Sequence, residues 1–133
     1  MMISALSGTS PHQKSLVTPE RRATCAALFS ALEPFVKENP HMPMSNFMMF
    51  LRVGMEEGKG VTEYATDAGT YKTVATRHLL DLGDRDRYGG PGLGWIMQAR
   101  RNDDLRVNRA WVTAKGASMI DTAHRALALL LRK

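Results

Sequence analysis

The stretch that decides the fold is WIMQARRNDDLRVNRAWVTAKG, residues 95–116. Residues 95–100 and 109–113 carry the alternating pattern of short β-strands with one covered face. Between them runs a charged segment containing Asp104-Leu105-Arg106, with Thr113 seven residues beyond Arg106 and Lys115-Gly116 close behind. The expectation is a β-hairpin whose charged turn carries Arg100, Arg101, Asn102, Asp104 and Arg106 and is suited to a polyanion. Thr113 then opens a last helix with Met119, Ile120, Ala123, Leu127 and Leu130 along one stripe, leaving Leu129 and Leu131 outside it.

Upstream, Thr18-Pro19-Glu20 is a helix start, because Thr18 can cap and Pro19 supplies a preset φ where no N–H is needed. The helix that follows carries the apolar stripe Cys25, Leu28, Phe29, Leu32, Phe35 and Val36; Pro34 is expected to kink or divide it, and Asn39-Pro40 to end it. Residues 44–57 are apolar nearly all round and predict a core helix closed by Gly58 and Gly60. A short helix over 62–68 follows, capped by Thr62 and stopped by Gly69, with Tyr64 and Ala65 inward. Thr70 is then expected to cap a helix over 70–82 that buries Ala75, Leu79 and Leu82. Its outer side carries Tyr71, Lys72, Thr73, Thr76 and Arg77. Those donors suit phosphates and base edges. A helix, a turn and a helix followed by a hairpin make a winged helix-turn-helix: mainly α, with a two-stranded wing.

Charge distribution agrees with that plan. The chain has 133 residues, 44% of them apolar and 23% charged, which is ordinary usage for one domain with a hydrophobic core. Residues 1–69 hold six Lys/Arg against seven Asp/Glu, whereas residues 70–133 hold twelve against six, so the net +5 belongs to the half with the second helix and the hairpin. Cys25 is the only cysteine, which excludes an intrachain disulfide. No run approaches a membrane span, and residues 1–17 lack the basic start and apolar core of a signal peptide. A cytoplasmic protein without membrane contact is expected, with 1–17 as a flexible arm and 18–133 as one domain.

The residues of the hairpin and the helix pair resemble those of the MarR family of bacterial winged helix-turn-helix regulators over residues 42–126. Asp104-x-Arg106, the step to Thr113 and Lys115-Gly116 coincide with that family's wing signature, and Thr62-Glu63-Tyr64-Ala65, Gly69 and Thr76-Arg77 fall on its support helix, turn and recognition helix. The resemblance implies a homodimer joined through residues 18–40 and 113–133, with 44–112 as the DNA-binding core. It further implies double-stranded DNA as partner, the recognition helix in a major groove and the wing against a minor groove. Arg106 would enter the minor groove and Asp104 would orient it or a neighbour. This chain departs from the pattern in three places. The glycine-rich loop 84–94 looks inserted before the wing, no second C-terminal helix follows before Lys133, and Tyr71 stands where the family commonly has a small polar residue.

Lys72 and Arg77 could merely solvate a helix, and Arg100 to Asp104 could be an ordinary charged turn. Trp95 and Trp111 could stack on single strands, but as members of alternating sets on paired strands they are expected to anchor the wing. Cys25 could sense oxidants, yet its place on the stripe predicts a buried structural thiol. His41, His78 and His124 with Asp84 and Asp86 lack ligand spacing, so no metal is expected. Gly90-Pro91-Gly92-Leu93-Gly94 is not followed by the Lys-Ser/Thr of a phosphate loop, and Ser118 is in no nucleophile elbow, so neither a cofactor nor an enzyme is expected. Nothing in the sequence supports a small-molecule effector. The remaining alternatives are a winged-helix protein-interaction module and a DNA-binding accessory factor in plasmid or phage replication or maintenance.

Overall fold

The computed structural model describes residues 14–101 and 104–131, with the side chains of Arg101, Asp104 and Leu105 outside the described set. Five helices and one hairpin follow in the order α1 (Pro19–Glu38), α2 (Met44–Met55), α3 (Val61–Ala68), α4 (Lys72–Leu82), β1 (Ile96–Arg101), β2 (Asp104–Val112) and α5 (Ala114–Leu131). The architecture is a mainly α winged helix-turn-helix. Of the arm expected over 1–17, residues 1–13 lie outside the described set, and 14–17 are exposed without regular structure.

α1 starts as its sequence dictates, with the Thr18 hydroxyl accepting from the Arg21 N–H at 3.2 Å and Pro19 in the first turn. Pro34 does not divide it: the helix runs unbroken to Glu38. The inward face also differs from the expected stripe. Ala27, Ala31 and Phe35 are buried, while Leu28, Phe29, Val36 and Cys25 are exposed. Small alanines let α1 lie close against its neighbours, and the larger side chains are displaced to the outer surface. Cys25 is therefore not a buried structural thiol. α2 likewise buries Phe47, Met49, Phe50 and Val53 but leaves Met44, Met48 and Met55 exposed, so it has one core face rather than an apolar girdle in the interior.

Two of the expected caps belong to other residues. α3 is capped at Gly60, whose N–H donates to the Glu63 carboxylate at 3.1 Å, and not at Thr62. α4 is preceded by Tyr71 as its cap residue, while the Thr70 N–H donates to the Ala65 carbonyl at 3.0 Å and closes the end of α3. Gly69 lies between them at φ +66°, a left-handed conformation that favours glycine and reverses the chain between the two helices. α4 buries Ala75, Leu79 and Leu82, as its spacing predicts.

The hairpin is longer than expected, and Asp104-Leu105-Arg106 is strand rather than turn. Antiparallel pairing runs from Ile96↔Val112 to Arg100↔Asn108 and then shifts register, so that Arg101 faces Asp104. Beside β2, the Gly58 N–H donates to the Ala110 carbonyl at 2.9 Å and the Ala110 N–H to the Lys59 carbonyl at 3.2 Å, forming a minimal third edge. Trp95 precedes β1 and is fully buried, its ring edge-on to both Phe35 and Phe50 with centroids 5.3 Å apart in each case. Trp111 is half-buried on β2 against Gly58. Both rings anchor the wing, although Trp95 does so from just ahead of the strand.

α5 lies against α1 and over the base of the wing. Thr113 caps it by accepting from the Gly116 N–H at 3.1 Å while its own hydroxyl donates to the Gly94 carbonyl at 2.6 Å. Gly116 is buried and leaves no room for a side chain: a Cβ there would lie 2.3 Å from the Trp95 carbonyl oxygen and 3.2 Å from the Phe50 ring. Gly116→Ala is therefore expected to destabilise the fold by about 1 to 3 kcal/mol, the usual cost of overpacking. Urea unfolding followed by tryptophan fluorescence measures it, and an unchanged midpoint would contradict the close approach.

Candidate nucleic-acid interface

The exposed surface of α4 is divided by its helical period. Ala75, Leu79 and Leu82 face the core, so Thr73 and Arg77, about half a turn away, point directly outward. Lys72, Thr76 and Leu80 occupy the flank toward the wing. They line one wall of an open cleft of about 420 Å³. Gln98, Arg106, Val107 and Asn108 of the wing form the opposite wall, and residues 60–63 at the start of α3 form its floor.

The structure thus brings Lys72, Thr76 and Arg106 to one concavity, with Thr73 and Arg77 on the adjoining convex surface. Tyr71 is 80% exposed just before α4 begins. Arg100 is exposed on the wing opposite Asn108, and so shares the face that carries Gln98. Thr70 is not part of this surface: it is half-buried and lines a separate cleft with Ser45, Arg52, Val74 and His78. Asn102 and the side chains of Arg101 and Asp104 lie outside the described residues, as does any contact between Asp104 and Arg106.

Glu63, Gln98 and Asn108 also line the cleft and were not among the expected site residues. A signal existed for the two amides, since Gln98, Arg100 and Asn108 share a face once the register is known. Arg106 could not have been placed by alternation. It falls where β2 shifts register, and one-for-one pairing with β1 is lost there.

Two nearby cations are committed to the fold. Lys59 bridges Asp67 at 2.8 Å and Glu56 at 3.1 Å, and these bonds raise its pKa well above the ordinary lysine value. Arg109 is half-buried, and its guanidinium donates to the Gly58 carbonyl at 2.7 Å, fastening β2 to the link between α2 and α3. Basic residues near the wing therefore divide into those that build it and those left on its surface.

Loop 84–94 does not loosen the relation between α4 and the wing. Its two ends are joined by backbone bonds: Leu93 N–H to the Asp81 carbonyl at 3.1 Å, Gly94 to Gly83 at 2.8 Å and Trp95 to Leu82 at 2.9 Å. Within the loop, the Asp86 carboxylate accepts from the Tyr88 and Gly90 N–H groups, each at 2.9 Å. Arg87 returns to ion-pair with Asp81 at the end of α4. Burial of Asp81 opposes its ionisation, but the Arg87 guanidinium and backbone N–H, aided by Asn46, outweigh this and hold its pKa below the ordinary carboxylate value.

No protein-family model and no curated sequence matches this chain. Solved structures do. A MarR-like transcriptional regulator from Thermotoga maritima superposes with a TM-score of 0.59 at 22% identity, over 91% of this chain and 80% of that one. The fold is that of the MarR winged-helix regulators. A MarR transcriptional regulator from Methanosarcina mazei Go1 matches with a TM-score of 0.55 at 17% identity, over 86% of this chain and 73% of its own. The transcriptional repressor CouR, solved bound to a 23-mer DNA duplex, gives a TM-score of 0.55 at 21% identity over the same two shares. The MarR-type fold therefore accommodates the organised loop 84–94 between α4 and the wing. Among the described residues, no helix is long and apolar enough to cross a membrane.

The lowered pKa of Asp81 sets an acid dependence. A carboxylate with a folded value below its reference of 3.8 contributes stability that is present above that reference and lost as pH falls through the folded value. Asp81→Asn should thus cost about 1 kcal/mol at neutral pH, a size expected for a partly exposed pair, and progressively less in acid. Unfolding curves from pH 7 to 2 check this; a cost independent of pH would refute the ion-pair account.

Proposed function

We propose that this chain is a dimeric, sequence-specific regulator that binds double-stranded DNA in the cytoplasm and is not an enzyme. The observation that carries the reading is that Lys72 of α4 and Arg106 of the wing line opposite walls of one cleft, with Thr73 and Arg77 exposed on the adjoining surface of α4. An outward-facing helix of this composition fits a major groove, where Arg and Lys recognise guanine edges and Thr adapts to several bases. The adjoining wing then reaches the neighbouring minor groove, whose negative potential attracts Arg106. Arg100 and Arg101 would supply backbone contacts. Structural kinship with transcriptional regulators, one of them solved on a duplex, supports the same reading.

Dimerisation is inferred from apolar surface. Leu28, Phe29 and Val36 on α1 and Leu127, Leu129 and Leu131 on α5 are exposed, and α1 and α5 pack side by side. A face of this composition is costly in water and is relieved by pairing with a second copy. Two α4 helices would then meet half-sites about one helical turn apart on a near-palindromic site.

Selection of bound duplexes from a random pool, followed by anisotropy titration at fixed salt, tests the reading. Arg77→Ala and Arg106→Ala are each expected to weaken binding by about 1 to 3 kcal/mol, with the fold retained in both. Unaltered affinity in either variant removes that residue from the interface. Phe29→Glu is expected to convert a two-subunit mass into a one-subunit mass, read by light scattering, and to lower DNA affinity with it. A wild-type chain of one-subunit mass at assay concentration would refute the dimer.

A further inference from the structure

A duplex held by a helix in its major groove and a ribbon in the adjoining minor groove must pass one sugar–phosphate strand between them, because that strand separates the two grooves. Resting on the DNA-binding reading above, we propose that the cleft between α4 and the wing seats this strand, and that Gln98 and Asn108 are the neutral donors that hold its phosphates.

The cleft is short of cations. Its charged lining is Lys72 and Arg106 against the Glu63 carboxylate, a surplus of one positive charge. Glu63 is held at the floor by its bond to the Gly60 N–H, so it cannot leave without uncapping α3. The Thr76 hydroxyl is also committed, because its proton is donated to the Lys72 carbonyl at 2.8 Å. A phosphodiester entering this space therefore meets few cations and needs donors without charge.

Gln98 and Asn108 meet that need. Gln98 lies across from Ala110, and Asn108 across from Arg100, so both amides lie on the wing face that begins at buried Ile96 and Ala110 and continues over α4. Neither side chain makes a hydrogen bond or ion pair with any described residue. Each amide offers two N–H donors, which match the acceptor-only oxygens of a phosphate. Leu80 and Val107, on opposite walls, provide apolar surface for the sugars. The wing base is fixed through Trp95 and Thr113, so the width of the cleft is set before DNA arrives.

The experiment is a salt titration of duplex affinity for the full chain, using its selected site. Neutral donors release no counterions, so Gln98→Ala and Asn108→Ala should each weaken binding about three- to tenfold with the slope of log K against log salt unchanged. Lys72→Ala, by contrast, should reduce that slope by about 0.9. Gln98→Glu should bind more weakly than Gln98→Ala, because a carboxylate would face the phosphate. A selected duplex with one uncharged methylphosphonate at the seated linkage should bind the wild type less tightly, and the Gln98→Ala/Asn108→Ala double variant should lose a smaller factor on that replacement, because Lys72 meets the linkage in both proteins and the amide donors only in the wild type. Melting temperatures equal to wild type show that the variants fold. If the wild type binds with steep salt dependence and the double variant binds equally well, the seat is wrong and the DNA reading stands. Absence of any salt-dependent duplex binding by the wild type overturns both.

Discussion

Trp95 holds the functional surface together. Its N–H donates to the carbonyl of Leu82 at the end of α4, its carbonyl accepts from Thr113 at the start of α5, and its ring packs edge-on against Phe35 of α1 and Phe50 of α2. One residue thereby connects four helices to the first strand of the wing. Two adjoining features protect the arrangement. Gly116 allows the turn of α5 to approach the Trp95 carbonyl, and Thr113 clasps Gly94 while capping α5. Among the described residues the buried indole N–H has no partner, a local cost set against the aromatic packing of the ring.

This constraint explains why a long glycine-rich segment between α4 and β1 does not make the wing independent of the helix. What matters mechanically is the distance between the ends of a loop, and here the ends are joined by main-chain hydrogen bonds from Leu93, Gly94 and Trp95 back to α4. The intervening residues form a self-contained turn stabilised by Asp86 and tethered by the Arg87–Asp81 ion pair. Loop length adds little closure entropy beyond that, since the cost grows only logarithmically. A cleft with a defined width between Lys72 and the wing can therefore exist despite the insertion.

Charge has two uses in this chain, which composition cannot separate. Lys59 and Arg109 lie in the same region as the exposed cations, yet both are spent on joining the α2–α3 link to its surroundings. Lys72, Arg77 and Arg100 remain on the surface. The difference comes from tertiary position: a carbonyl or carboxylate within reach turns a basic side chain into structure.

Much of the design was legible in the residue order. Thr18-Pro19, Gly69, the Ala75, Leu79 and Leu82 spacing and the Thr113 to Gly116 segment each act locally, over one helical turn or one cap, so the order of elements and the inward face of α4 could be read directly. Other features depend on what another element brings alongside. Whether Cys25, Phe29 and Val36 or Ala27 and Ala31 turn inward depends on how closely α1 is approached by its neighbours. The Thr70 N–H bond to the Ala65 carbonyl closes α3 and leaves Tyr71 to precede α4, and Gly60 rather than Thr62 precedes α3, with Glu63 reaching back to its N–H. The register shift in β2 is set by pairing with β1, so the face of Arg106 is undetermined until the strands meet. Local geometry is encoded in neighbouring residues; the cleft itself is a distance between separate elements, and only packing around Trp95 sets that distance.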